Sequence, residues 1–136
     1  MSKQQPTIQK FMTTQPYFIE AKETVERASG MMAQHKIRHL PVLRDGELVG
    51  IVSDRDIKLA SGIQGIDPTT LPVIDVCVEH PYTVDPENLL ADVAKSMASK
   101  HIGSALVVQN SKLVGIFTTV DACRALAEIL ETRYHP

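Results

Sequence analysis

The chain repeats itself. Shifted by 65 positions, its two halves align without a gap. Leu48-Val49-Gly50-Ile51 falls on Leu113-Val114-Gly115-Ile116, and Pro16-Tyr17 on Pro81-Tyr82. Met32-Ala33 falls on Met97-Ala98, Ile37 on Ile102, Val42 on Val107, Asp56 on Asp121 and Ala60 on Ala125, which makes twelve identical pairs in one register. A repeat of this length is a structural unit used twice. Two copies in 136 residues are expected to share one compact arrangement about a pseudo-twofold axis, because neither copy alone buries much apolar surface. Such an axis creates two related clefts, and clefts bind small ligands.

Each copy has the same order of elements. In the first, Tyr17-Phe18-Ile19 is a short extended piece. Val25, Ala28 and Met32 then recur at helical spacing, predicting a helix over about 22–36. His39–Leu43 and Leu48–Val52 read as strands joined by a tight hairpin at Asp45-Gly46, since Asp-Gly tolerates the positive φ angles such turns need. A second helix begins near Ser53 or Asp54. In the second copy Val84 precedes a helix over about 87–100, with Asp85-Pro86 and Asn88 as start signals. Ser104–Gln109 and Lys112–Phe117 form the hairpin, and a last helix covers about 119–132 with Leu126, Ile129 and Leu130 facing a core. Met12, Met31, Met32 and Met97 read as core filling.

The strand-to-helix junctions carry the chemistry. Gly50-Ile51-Val52-Ser53-Asp54-Arg55-Asp56 and Gly115-Ile116-Phe117-Thr118-Thr119-Val120-Asp121 share one form: Gly, two apolar residues, a hydroxyl, two variable positions, Asp. The glycine permits close approach of another group. The hydroxyl sits beside the free N–H groups and positive dipole of a helix start, a natural seat for phosphate. The aspartate, one turn in, can accept hydrogen bonds from two neighbouring hydroxyls, as ribose presents them. The same spacing is also a capping box, which stabilises the helix and binds nothing. The two roles are compatible.

These segments resemble the cystathionine-β-synthase (CBS) domain, and the pair resembles a Bateman module. The likeness runs from about Thr7 to Leu130 and includes Met12-Thr13-Thr14-Gln15-Pro16, Arg38-His39-Leu40-Pro41-Val42 and the Leu48–Asp56 stretch. The second copy departs from the pattern at Val76-Cys77-Val78 and Gly103-Ser104-Ala105-Leu106. The resemblance implies an α/β (α+β) fold of two CBS repeats, each a small sheet with two flanking helices. It places the first domain at 7–61, a linker at 62–71 and the second domain at 72–130. It implies a regulatory module that binds AMP, ADP or ATP in the cleft between the copies, and a homodimer joined through helices.

By the same resemblance, Ser53 and Asp56, with Thr118 and Asp121, meet phosphate and ribose. Thr13, Tyr17, Ile19 and Pro41 would hold adenine in one copy, and Tyr82 and Val84 in the other. Arg38, His39 and Arg55 are opposed in the second copy by uncharged Gly103, Ser104 and Val120. Arg38 is expected to meet phosphate, for which a guanidinium is well shaped, and Arg55 is balanced between ligand and solvent. Two rival readings stay open: a ligand-free module that docks on a partner enzyme or transporter, and a sensor of S-adenosylmethionine, NAD or cyclic di-AMP.

Other classes find little support. A net charge of −2 argues against general affinity for nucleic acid. His35 and His39 lose metal-binding spacing if the helix ends between them, and His80, His101 and His135 have no companions. No nucleophile–base pair or P-loop is present, so no enzyme activity is expected. Cys77 and Cys123 lack redox or metal spacing. The first residues lack the apolar core of a leader, and a cytoplasmic location is expected.

Overall fold

The computed structural model describes residues 4–134. His135 and the first three residues, which entered the readings for metal and leader, lie outside them. In chain order the elements are α1 (Ile8–Phe11), β1 (Thr13–Thr14), β2 (Ile19–Glu20), α2 (Val25–His35), β3 (His39–Arg44), β4 (Glu47–Ser53), α3 (Asp54–Ser61), β5 (Val78–Glu79), β6 (Thr83–Val84), α4 (Leu90–Lys100), β7 (Ser104–Gln109), β8 (Lys112–Thr118) and α5 (Thr119–Arg133), with a 3-10 turn at Val73–Asp75. The architecture is mixed α+β, with two sheets of four strands.

The chain divides into two compact units, one from Tyr17–Pro81 and one from Met1–Pro16 with Tyr82–Pro136. In the first, the strand order is β2-β3-β4-β5; in the second it is β6-β7-β8-β1. β2 runs parallel to β3, as β6 does to β7, and the long hairpins β3–β4 and β7–β8 are antiparallel. The compact units therefore differ from the sequence repeats in one respect. The opening segment of each repeat belongs to the other unit. Thr13 pairs with Ile116, and its equivalent 65 positions on, Val78, pairs with Ile51. Thr14 pairs with Gly115, and Glu79 with Gly50. The segment at 62–71, expected as a linker, also contributes: the Leu71 carbonyl accepts from Val25 N–H at 2.8 Å and that of Pro68 from Glu26 N–H at 3.1 Å. In the other unit Pro6 takes the place of Leu71, accepting from Leu90 N–H at 3.0 Å.

The repeat extends to the backbone angles. Positive φ recurs at Gln15 and His80, Lys36 and His101, Asp45 and Asn110, and Gly46 and Ser111. Lys36 and His101 are left-handed C-caps that stop α2 and α4. Asp45-Gly46 and Asn110-Ser111 turn the hairpins, with φ of 52° and 83° in the first and 53° and 64° in the second. The weaker turn sequence thus adopts the same turn. Both hairpins carry a register shift at equivalent places, Val42/Leu43 and Val107/Val108.

α2 and α4 begin at Val25 and Leu90, three residues later than expected, for a visible reason. Before α4, the Asn88 side chain accepts from Asp85 N–H at 2.7 Å and the Asp85 carboxylate accepts from Glu87 N–H at 2.9 Å, which closes a turn. Only past it are the orphan N–H groups of the helix taken up by the exchanged segment. One core gathers Val25, Ala28 and Met32 of α2 with Leu40, Val42, Val52, Ile57 and Val73. The other gathers Ile8, Val93, Met97, Val107, Phe117 and Ala125. Met12 and Met31 pack against these cores from their edges.

α5 differs from expectation. Ile129 packs on its core, but Leu126 and Leu130 are 59% and 46% exposed, as is Val120 at 58%. Two of the three residues predicted to be internal, Leu126 and Leu130, are turned outward. Among the described residues, no helix is long and apolar enough to cross a membrane.

Candidate functional site

At both junctions a long β-strand runs directly into a helix. Ser53 closes β4 and caps α3: its hydroxyl accepts from Asp56 N–H at 3.0 Å, and the Asp56 carboxylate accepts from Ser53 N–H at 3.0 Å. Thr118 and Asp121 form the same reciprocal pair at 3.2 and 2.9 Å. The capping-box reading is thus realised twice. The glycine of each motif is closely approached, but by the chain itself. A β-carbon at Gly50 would lie 2.8 Å from Cys77 Sγ and from the Val78 carbonyl, and one at Gly115 would lie 2.6 Å from Met12 Sδ. The exchanged opening segments occupy that space.

In the Tyr17–Pro81 unit, β3 brings the candidate residues to the cap. His39 lies opposite Ser53 in the β3–β4 register, and the Arg38 carbonyl accepts from Asp54 N–H at 2.9 Å. His39 is half-buried. Burial pushes its pKa below the ordinary imidazole value; the Asp56 carboxylate pulls it back up, and Arg38 adds to the lowering. Arg38 and Arg55 are exposed. Arg38, His39, Ser53, Arg55 and Asp56 therefore gather around the start of α3. Pro41 is fully buried in β3, and Ile19, 2% exposed, pairs with Val42 beside it. Tyr17 is half exposed and stacks on His35 with ring centroids 3.7 Å apart.

In the other unit, Thr118 and Asp121 stand at the start of α5. Tyr82 lies under Lys100, whose Nζ is 5.3 Å from the ring centroid; Tyr82 and Lys100 are the equivalents of Tyr17 and His35. Val84 is buried and pairs with Val107.

Thr13 is placed differently from the expectation that grouped it with Tyr17, Ile19 and Pro41. It reaches the second junction, where its hydroxyl donates to Asp121 Oδ1 at 3.0 Å. The reason is the strand exchange: β1 pairs with β8, the strand that leads into α5. Arg124, 3.5 Å from Asp121 Oδ1, also belongs here. It escaped the sequence reading, although its spacing of three from Asp121 on a helix was legible. Thr13, Asp121 and Arg124, with Lys10, Phe11, Met12 and Glu128, line an open depression of about 390 Å³. Cys77 packs against Gly50, and burial raises its thiol pKa, aided by the negative charge of Glu79.

Comparison with known proteins is consistent with this geometry. The CBS domain sequence model matches residues 8–62 and again 73–128. The chain is 33% identical over 115 residues to the CBS domain-containing protein YhcV of Bacillus subtilis, which covers 85% of this chain and 81% of YhcV. It is similar to the crystal structure of a Vibrio cholerae protein assigned to acetoin utilization (AcuB), with a TM-score of 0.87, 27% identity and coverage of 98% and 100% of the two chains. It is also similar to CBSX2 solved in complex with AMP, with a TM-score of 0.77, 29% identity and coverage of 90% and 97%. With two domain matches that span most of its length, the chain belongs to the CBS domain family and carries two copies of that domain.

Proposed function

We propose that this CBS pair is a regulatory sensor of adenosine nucleotides, AMP, ADP or ATP, rather than an enzyme. The observation that carries the reading is the junction at Ser53. A helix N-terminus, a hydroxyl and a carboxylate stand together there, and three basic residues, Arg38, His39 and Arg55, flank it along the backbone. In this reading Arg38 and the start of α3 receive phosphate. The Asp56 carboxylate accepts from ribose hydroxyls. Thr118 and Asp121 are the equivalent pair of the second copy. Pro41, Ile19 and Tyr17 in one unit, and Val84 and Tyr82 in the other, supply apolar and aromatic contact for the base. The AMP complex of CBSX2 supports an adenosine ligand.

The output of binding is a shift between conformations, limited by the ligand's difference in affinity for them. The exposed Val120, Leu126 and Leu130 of α5 favour pairing into a homodimer; the same surface would serve docking on a regulated enzyme or transporter.

The test is thermal unfolding against AMP, ADP, ATP, S-adenosylmethionine, NAD and cyclic di-AMP. At about a hundred times its dissociation constant a ligand adds roughly 2.7 kcal/mol, a rise of several degrees in Tm for a domain of this size. The expected result is a rise with an adenosine nucleotide that Asp56→Ala abolishes. Cooperative unfolding with no rise for any ligand overturns the reading in favour of a docking module. A response confined to S-adenosylmethionine or NAD reassigns the ligand.

A further inference from the structure

Two sulfur atoms hold equivalent places in the two copies. Met12 and Cys77 are 65 positions apart, and each rests on the glycine of a motif. A β-carbon at Gly115 would lie 2.6 Å from Met12 Sδ and 3.1 Å from its Cγ, and one at Gly50 would lie 2.8 Å from Cys77 Sγ. The chemistry of the two sulfurs differs. Burial and the charge of Glu79 hold the Cys77 thiol above its ordinary pKa, which suppresses the thiolate that reacts with oxidants. The Met12 thioether has no proton to lose first, and the residue is half-buried at the edge of its core. Met32 and Met97, by contrast, are buried. We propose that Met12 is an oxidation site for hydrogen peroxide, and that its sulfoxide loosens the opening segment from β8.

The thioether sulfur takes one oxygen atom. The S–O bond forms as the peroxide O–O bond breaks, sulfur gives up two electrons, and water leaves. The product is polar, larger and ill fitted to its seat. On the Gly115 side the sulfur already stands within 2.6 Å of where a β-carbon would be, so the new oxygen has no room there. Turned into the apolar core on which Met12 packs, it is buried among side chains that offer no hydrogen bond. Turned toward solvent, it draws the side chain off Gly115, which has no side chain of its own to fill the gap. β1 meets β8 at two residues, Thr13 with Ile116 and Thr14 with Gly115, so its hold depends on the packing of Met12 beside it. Met31, the other half-buried methionine among the described residues, is an internal control. Its equivalent is Ser96, also half-buried. That position accepts a polar side chain, and Met31 sulfoxide is expected to be silent.

The test treats the folded full chain with hydrogen peroxide, quenches with a thiol that reverses cysteine sulfenic acid and disulfide, and reads peptide masses and the urea midpoint. Met12 is expected to gain one oxygen about tenfold faster than Met32 and Met97, following exposure. The oxidised chain is expected to lose on the order of 0.5 M in urea midpoint and to regain it with methionine sulfoxide reductases. Met12→Leu, a swap that nearly conserves volume, is expected to keep its midpoint under the same treatment. Met12→Gln, which places a polar group there without oxidant, is expected to reproduce the loss. Oxidation of Met12 no faster than that of Met97 overturns the proposal on the wild type alone. So does an unchanged midpoint once Met12 is oxidised, or an equal loss in Met12→Leu, which assigns the effect to another residue. None of these readouts requires a nucleotide, so the outcome is independent of that reading.

Discussion

Gly50 in β4 lies directly against Val78 of the exchanged strand, so that a β-carbon on Gly50 would meet the Val78 carbonyl oxygen at 2.8 Å. The glycine is required by a backbone neighbour, and a backbone cannot swing aside as a side chain can.

Gly50→Ala should therefore destabilise the fold by about 1–3 kcal/mol, the range for overpacking a well-filled site. Gly115→Ala should cost less, because its nearest neighbour is the movable end of Met12, with the Thr13 carbonyl at 3.1 Å. Urea unfolding of the two variants checks the order; equal costs would show that β5 yields as easily as the Met12 side chain.

The capping boxes predict a separation of stability from binding. Ser53→Ala removes the oxygen that accepts from Asp56 N–H and should lower stability without ligand by about 1 kcal/mol. Ser53→Gly should cost only a few tenths. Chemical denaturation of the ligand-free variants measures both. A ligand-free Ser53→Ala as stable as the wild type would mean that the hydroxyl is not a structural cap.

His39 predicts a slope of stability with pH. Its folded-state pKa lies below the ordinary value because burial disfavours the imidazolium more than Asp56 favours it. As pH falls, the unfolded chain binds this proton first. The contribution is therefore complete above the unfolded value of about 6.5 and is lost as pH drops from there to the folded value. His39→Gln should flatten the curve in that window. Urea midpoints from about pH 7.5 down to about pH 5 provide the readout; an unchanged slope in the variant would assign it to other groups.

The outward stripe of α5 predicts a contrast with the core. Phe117→Ala, at a fully buried position, should cost about 3–5 kcal/mol. Leu126→Asp with Leu130→Asp should leave the unfolding of the monomer nearly unchanged and shift a dimer to monomer. Sedimentation equilibrium distinguishes the outcomes. Loss of folding in the double variant would mean that the stripe is covered within the chain.

The sequence alone determined the repeat, the hairpin turn at Asp45-Gly46 and the two Ser/Thr-x-x-Asp caps. Each depends on residues a few positions apart, whose backbone preferences and hydrogen bonds are local. It also exposed the imbalance of charge between Arg38, His39 and Arg55 and their counterparts. It could not say where the opening strands go. Thr13-Thr14 and Val78-Glu79 are two residues each, without a pattern of their own, and equivalent strands offer both the same register. Pairing at home and pairing across satisfy the same local rules, so only the closed tertiary structure decides between them. That decision delivers the Thr13 hydroxyl to Asp121 and leaves Asp56 opposite a valine-bearing strand. It likewise turned Leu126 and Leu130 outward, because an apolar helical stripe records that something covers it and carries no address for what does.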